Sequence, residues 1–197
     1  MHKGGHDQEE RIMRILASVL LGLTLSSQAL SQEVFDARYE SLAPGSIEIG
    51  RINYSDALRQ KAALLGEDEL ARLAGYLRED LETALIAGDW HGVSLQPTVL
   101  NVTLDDVMPN RPTLTQLQRM PNLSYAQHTS GGAALTAELV DEAGTVIARY
   151  SFSWMDPDDG NDAASGVWTD TRTAFSRFAV RLTESLGEAP MPGLSGT

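Results

Sequence analysis

Residues 132–155 read GAALTAELVDEAGTVIARYSFSWM, a stretch that predicts a β-hairpin at the centre of the fold. Apolar and polar side chains alternate along both arms, which is the two-residue period of a half-buried strand. Gly144 ends the tight turn between the arms, because a residue without a Cβ tolerates the positive φ needed there. A lone hairpin is at best marginally stable, so its apolar face must pack against other parts of the chain.

The second arm carries three aromatic side chains on one face, Tyr150, Phe152 and Trp154. We interpret this face as part of the core rather than as a cage for a ligand. Removal of a core ring leaves a large cavity, so Trp154→Ala is expected to cost about 3–5 kcal/mol if the face is buried.

Two amphipathic helices are the expected cover for that face. Leucines recur every three or four residues over residues 67–87, and a second apolar stripe extends over residues 167–186. Further strands are predicted at residues 46–54 and 93–107, and a short helix at residues 56–65. We therefore predict an α+β fold, with an antiparallel sheet of about four strands and the two amphipathic helices packed on one face.

The amino-terminal residues 1–31 are predicted to be a signal peptide. Residues 15–25 read ILASVLLGLTL, an apolar run too short for a bilayer, which needs about 20 residues. Ala29 and Ser31 supply the small side chains that signal peptidase requires, so we expect cleavage before Gln32.

The remaining chain divides into three parts. Residues 32–45 are interpreted as an extended leader, residues 46–188 as a single α+β domain, and residues 189–197 as a disordered tail rich in proline and glycine. The start of translation is open, because Met13 makes a more typical signal-peptide start than Met1 and the chain then carries an over-long amino terminus.

A long connection at residues 108–131 stands out within the domain. It contains three prolines, and structureless connections of this length are uncommon in compact domains. One alternative is a helical turn or two, for which Leu114, Leu117 and Met120 have suitable spacing. The other is a flap over the sheet, and a flap is where we would place a functional surface.

The composition excludes several classes of protein and favours the periplasm. The chain has no cysteine, which removes disulfides, thiolate metal ligands and lipid attachment through cysteine. Its formal charge of -12, from 15 basic and 27 acidic residues, argues against nucleic acid and an anionic membrane surface as partners. No segment after the signal peptide is long and apolar enough to span a bilayer. We therefore expect a periplasmic protein, secreted through a cleaved signal peptide, without a lipid anchor.

The acidic loop after the hairpin is the strongest metal-site candidate in the sequence. Its oxygen ligands are Asp156, Asp158, Asp159, Asn161 and Asp162. An EF-hand loop requires its glycine at position six and a glutamate at position twelve. Here the glycine comes one residue early and Val167 occupies position twelve, so we interpret the segment as a solvated turn.

Two histidines follow the signal peptide, His91 and His128, and both lie in predicted loops. A serine–histidine–aspartate triad needs no proximity in sequence, so a hydrolase that uses one of them stays open. The sequence has no nucleophile elbow and no phosphate-binding loop, because Gly131 and Gly132 precede a strand rather than a helix. We therefore assign no catalytic residue, no cofactor and no metal.

The chain resembles a bacterial family of small exported lipoproteins, domain of unknown function three-three-one-three, over roughly residues 39–186. The matching positions are Tyr54, Leu58, the helix ending at Ala87, Gly131, Gly132, Ala133, Asp141, Gly144, Trp168, Ala174 and Phe175. The resemblance implies a single α+β domain of the cell envelope with no catalytic residues to carry over. Family members carry a lipid-anchored cysteine after the signal peptide, and this chain departs from that pattern.

Three functions are therefore kept. The first is a non-enzymatic binding or interaction domain of the periplasm, with an envelope protein or a small apolar ligand as partner. The second is a periplasmic hydrolase that uses a loop histidine as its base. The third is a carrier of a small apolar ligand or lipid, held beneath residues 108–131.

Overall fold

A computed structural model gives the architecture and describes residues 33–41, 45–91, 97–156 and 166–189. The predicted signal peptide, most of the acidic loop and nearly all of the predicted tail lie outside these residues. In chain order the elements are β1 (Val34–Tyr39), β2 (Ser46–Tyr54), α1 (Asp56–Leu65), α2 (Glu67–Ala87), β3 (Pro97–Met108), α3 (Leu114–Arg119), β4 (Gly132–Val140), β5 (Val146–Met155) and α4 (Thr169–Glu188).

The strands form one mixed sheet in the order β1-β5-β4-β3-β2. Three neighbouring pairs are antiparallel: β1 with β5, β5 with β4, and β4 with β3. β2 and β3 are parallel. The predicted antiparallel sheet of about four strands is therefore wrong, both in the number of strands and in the direction of one pair.

Each error has a physical reason. Two helices, α1 and α2, lie between β2 and β3 and carry the chain back along the sheet, which is the crossover that parallel strands require. Side-chain alternation reports which face a residue occupies but not the direction of the neighbouring strand. The fifth strand, β1, falls within the residues that we interpreted as an extended leader, and its six residues are a short alternating pattern.

The predicted hairpin is confirmed, with Leu135 opposite Phe152 and Ala137 opposite Tyr150 across β4 and β5. The backbone N–H of Gly144 donates to the Asp141 carbonyl at 3.0 Å and closes the turn. Gly144 has a φ of 81°, in the left-handed region that favours glycine. The turn therefore fixes the register that places the apolar side chains of both arms on one face.

Helices α2 and α4 supply apolar stripes to the core on this side of the sheet. The leucines of α2 are buried, at positions Leu70, Leu73, Leu77, Leu81 and Leu85. Phe175 and Phe178 of α4 are fully buried, and the Phe178 ring lies 5.7 Å from that of Phe152 between centroids. α4 lies over β4 and β5 and packs against α2, so the core forms between the helical layer and one side of the sheet.

Short-range signals explain where the helices begin. Ser55 caps α1, where its hydroxyl accepts a hydrogen bond from the Leu58 N–H at 3.1 Å. Three acidic residues occupy the first turn of α2, where the helix dipole favours them. Among the described residues, no helix combines the length and apolar character that crossing a bilayer requires.

Candidate binding surface

The side of the sheet opposite the helices is open and polar. One row of side chains crosses all five strands at matching register: Asp36, Ser151, Thr136, Thr103 and Asn53. The three central members are hydroxyl side chains, which both donate and accept hydrogen bonds. Thr136 and Ser151 are exposed, whereas their neighbours in sequence on the other face are buried. We call this side of the sheet the polar sheet face. It includes this row and the charged row beside it.

The adjacent row carries most of the charge. Arg38 lies opposite Arg149, which lies opposite Glu138, which in turn lies opposite Asn101. The Arg149 guanidinium pairs with Glu138 at 3.2 Å and with Glu40 at 2.8 Å. These side chains are about half exposed, so each pair contributes little to stability, about 0–1 kcal/mol. Their main consequence is to hold the charged groups in place on the surface.

Between the two rows lies a shallow depression of about 490 Å³. Its lining combines uncharged amides and hydroxyls with a rim of paired charges: Asp36, Arg38, Asn53, Asn101, Thr103, Thr136, Ala137, Glu138, Arg149, Tyr150 and Ser151. Such a lining offers hydrogen bonds in several directions without a single dominant charge. It suits a polar partner better than an apolar one.

Irregular strand geometry shapes two borders of this face. The register of β2 against β3 shifts between Ile49 and Ile52, next to Gly50. A Cβ at Gly50 would lie 2.5 Å from the Asn101 amide oxygen, so glycine allows that side chain to lie against β2. The Asn101 amide oxygen also accepts the Arg51 N–H at 3.1 Å. The bulge at Gly50 thus positions an amide of the polar sheet face.

Asp105 lies at the second border, where the register of β3 against β4 shifts between Leu104 and Asp106. Burial raises the pKa of the Asp105 carboxyl, and a hydrogen bond with Thr136 partly offsets that rise. The carboxyl therefore touches a central hydroxyl of the polar sheet face. Its neighbour Asp106 faces Lys61, whose ammonium lies 2.7 Å from the carboxylate.

The segment between β3 and β4, predicted as helical turns or a flap, contains the short helix α3. Thr113 and Gln116 form a reciprocal capping box at its start. Asn110 is 1% exposed, and its amide oxygen accepts the backbone N–H of Asp170 at 2.9 Å. The Thr129 hydroxyl donates to the Pro109 carbonyl at 2.8 Å. The first bond attaches the start of the segment to α4, and the second joins the two ends of the segment to each other, as expected for a structural connection.

The two histidines have different surroundings. His91 is exposed after α2, and His128 is half-buried with its Nδ1 enclosed and unpaired. Within the part of the chain that the structure describes, neither side chain is hydrogen-bonded to a serine or a carboxylate. The geometry that a histidine-dependent hydrolase requires is thus not assembled around either residue among these positions.

The acidic loop is described only at its first position. The backbone N–H of Asp156 donates to the Gly131 carbonyl at 3.0 Å, while Asp158, Asp159, Asn161 and Asp162 lie outside the described residues. Among the described positions, no group of three or more histidine, cysteine, aspartate or glutamate side chains is arranged to hold a metal ion.

Comparisons with known proteins add a weak likeness in fold. No protein-family model matches the chain, and no curated protein matches it significantly. Among solved structures, a dodecamer of a PelC variant from Paraburkholderia phytofirmans has 11% identity and a TM-score of 0.46, covering 79% of this chain and 97% of that one. A second PelC dodecamer from the same organism has the same identity and TM-score, with 76% and 97% covered. A similarity of this size carries no argument about activity or assembly.

Sequence reasoning did not identify the polar sheet face as a surface. The signal was present, because Asn101, Thr103, Thr136, Glu138 and Ser151 occupy the polar positions of alternating strands. What joins them is the strand order and the register between strands, which local alternation does not contain. We instead expected a functional surface at residues 108–131 if that segment formed a flap.

Proposed function

We propose that this chain is an exported, non-enzymatic envelope protein of the periplasm, and that it binds its partner through the polar sheet face. The observation that carries the binding part is the open depression between Arg149 and Thr103, lined by hydroxyls, amides and paired charges. Most strand positions on this side are at least partly exposed, whereas the opposite side packs into the core with α2 and α4.

Export is supported by the sequence. An apolar run at residues 15–25 precedes the small residues Ala29 and Ser31, as in a cleaved signal peptide. Cleavage after these residues starts the mature protein near Gln32. The chain has no cysteine for an acyl anchor, so we expect the mature protein to be released into the periplasm.

The chemistry of the depression favours an envelope protein as the partner over a small apolar ligand. Hydroxyl and amide groups left unpaired beneath an apolar ligand would lose their hydrogen bonds to water without replacement. A protein surface supplies matching donors and acceptors together with bridging water. The carrier alternative has less support, because Asn110 and Gly131, near the two ends of residues 108–131, are both hydrogen-bonded to Asp170. The hydrolase alternative has less support because neither histidine meets a serine or a carboxylate among the described residues.

Site-specific crosslinking in living cells tests the binding surface. A photoreactive amino acid replaces Thr136 in the centre of the polar sheet face, and a matched variant carries it at exposed Glu79 on α2. We expect a discrete crosslinked product from position 136 and none from position 79. Equal products from both positions, or none from either, would count against the polar sheet face.

Fractionation with amino-terminal sequencing tests the location separately. We expect the mature protein in the periplasmic fraction with a first residue near Gln32. A product in the membrane fraction that still carries Arg14, or a full-length cytoplasmic product, would contradict export by a cleaved signal peptide.

A further inference from the structure

The sheet ends in two edge strands, β2 and β1, and their outer backbones differ in accessibility. On β2 the Arg78 guanidinium donates to the carbonyls of Ile49 at 3.1 Å and Gly50 at 2.6 Å. The Ile47 N–H donates to the Trp90 carbonyl at 2.8 Å. A bulge at the same place breaks the regular spacing of the strand. Together these features protect the β2 edge from pairing with another strand.

Within the part of the chain that the structure describes, the β1 edge lacks such protection. Its residues pair with β5 in continuous register, from Val34 opposite Ser153 to Tyr39 opposite Ala148. Among the described residues, no group outside β5 hydrogen-bonds to the backbone of Val34–Tyr39. α4 packs mainly against β4 and β5, and it reaches β1 through the side chain of Tyr39, whose hydroxyl lies 2.9 Å from that of Ser185, rather than through the β1 backbone. An unbulged edge strand without proline or glycine is a template for another strand.

We infer that this edge is a homodimer interface, in which β1 of a second copy pairs antiparallel with β1 about a two-fold axis at Ala37. The two sheets then join into one, and the contact uses the same residues on both copies, as two-fold symmetry requires. The proposal concerns the outer backbone edge of β1. Asp36 and Arg38 also belong to the polar sheet face, but the pairing of β1 with β1 does not depend on what that face binds.

Charge selects this register over its neighbours. Opposite residues of an antiparallel pair share a face, so only registers that keep apolar with apolar side chains are allowed. With Ala37 opposite itself, Asp36 lies opposite the partner's Arg38, and the reverse pair forms by symmetry. Moving the axis to Asp36 places two aspartates together, and moving it to Arg38 places two arginines together. Of these three positions for the two-fold axis, only Ala37 brings opposite charges into contact.

The side chains on both faces suit the same register. Asp36 and Arg38 are 52% and 77% exposed and pair with each other at 2.9 Å in the single chain, so both can meet a second copy. On the apolar face, half-buried Phe35 would lie opposite the partner's Tyr39. Aromatic pairs at directly opposite positions are favourable across strands. Across the two-fold axis, polar side chains therefore meet polar ones on one face, and apolar side chains meet apolar ones on the other.

The difference between the edges also limits the assembly to two copies. Pairing of β1 with β1 removes both accessible edges at once. The joined sheet ends on both sides in β2, whose carbonyls at Ile49 and Gly50 are occupied by Arg78. A third copy finds no open strand, so we expect a closed dimer rather than a fibre.

Light scattering coupled to size exclusion measures the mass of the protein expressed from its complete reading frame. We expect twice the mass of one chain. A monomer at every concentration reached, or a larger oligomer, would overturn the proposal.

Charge reversal identifies the edge. Asp36→Arg and Arg38→Asp each place like charges in contact across the axis, so each variant should lose the dimer and run at half the mass. The double variant restores opposite charges and should recover the dimer. Circular dichroism confirms that all three fold. If the single variants stay dimeric, or the double variant stays monomeric, the interface lies elsewhere.

Disulfide formation checks the register on a background without native cysteines. Directly opposite residues have Cα atoms about 4.5–5.5 Å apart, within the range that a disulfide spans. Ala37→Cys should therefore crosslink the two copies under mild oxidation. Val34→Cys, on the same strand but opposite Glu40 in this register, should stay uncrosslinked. A crosslink at position 34 and none at position 37 would overturn the assigned register.

Discussion

The backbone N–H of Gly131 donates to the Asp170 carboxylate at 2.9 Å, which ties the entrance of β4 to the first turn of α4. The same carboxylate accepts a hydrogen bond from the Asn110 amide, whose oxygen accepts the Asp170 N–H at 2.9 Å. Asp170 and Asn110 are 6% and 1% exposed. One buried side chain therefore fixes both ends of the connection between β3 and β4.

Asp170→Ala tests this connection. The variant leaves two buried donors without an acceptor, each of which costs about 1–3 kcal/mol, so we expect the free energy of unfolding to fall by about 3 kcal/mol. Urea denaturation followed by circular dichroism gives the value. The matched control is Asp68→Ala, which removes an exposed acidic residue from the first turn of α2 and should cost under about 1 kcal/mol. Equal losses from the two variants would show that the buried carboxylate has no special role.

The aromatic face of β5 is not uniformly buried, and this changes the expected cost of its substitutions. Phe152 is 3% exposed and contacts Phe178, whereas Trp154 is half-buried with the Arg177 guanidinium 4.8 Å above its ring. We expect Phe152→Ala to cost about 3–5 kcal/mol. Trp154→Ala should cost about 2 kcal/mol, because less apolar area is lost together with one cation–π contact. Melting curves of both variants measure the two losses of stability. A larger loss from Trp154→Ala than from Phe152→Ala would contradict this order.

The elements that sequence analysis located are those specified by short-range patterns. The hairpin and α2 each repeat their apolar residues with a fixed period, and α2 has the bounds predicted for it, Glu67–Ala87. The direction of β3 relative to β2 depends on how α1 and α2 pack on the sheet, which no local period records. β1 has the alternating pattern but too few residues to stand apart from an extended leader.

Polar interactions between distant residues were the least predictable part of the molecule. Asn110 and Asp170 are single polar residues in a loop and a helix start, and nothing in their local sequence indicates that they meet. The polar sheet face differs, because its residues do follow a regular alternating pattern in the sequence. They form one surface only through the order of the strands in the sheet. Such sites require the register between strands before they are recognisable.

Asp105→Asn probes the border of the polar sheet face. The pKa of the Asp105 carboxyl is raised by burial, so the folded state disfavours its charged form. A raised carboxyl pKa means that folding is favoured below the unfolded value, near 3.9, and loses that advantage as pH rises through the folded value. We expect the variant to be more stable than the natural chain at pH 7, by under about 1 kcal/mol because the carboxyl is half-exposed.

This difference should narrow as the pH falls from 7 to about 4, where the natural carboxyl becomes protonated and resembles the amide. Urea denaturation of both proteins across that range measures it. Glu142→Gln in the exposed hairpin turn serves as the control for a general charge effect. A stabilisation by Asp105→Asn that stays constant with pH would exclude the burial of the carboxyl as its cause.

Glu33, directly before β1, gives the opposite dependence on pH. Its carboxylate pairs with Arg181 at 2.5 Å and with Arg177 at 2.9 Å, and its side chain is 15% exposed. Arg181 contributes most to lowering the pKa of Glu33, against a smaller opposing effect of burial, and Arg177 adds to the decrease. The ion pairs therefore hold the amino-terminal end of β1 against α4.

A lowered carboxyl pKa contributes stability that is fully present above the unfolded value, near 4.3, and lost as pH falls through the folded value. Glu33→Gln should accordingly lower the free energy of unfolding at pH 7 by about 1 kcal/mol, with the difference shrinking towards pH values of about 3. Glu184→Gln removes an exposed partner of the same Arg181 and should cost less. Urea denaturation at pH 7 and at about pH 3 gives the free energy of unfolding of the natural chain and of both variants. A loss from Glu33→Gln that persists unchanged in acid would mean that packing of this side chain, rather than its charge, holds β1 to α4.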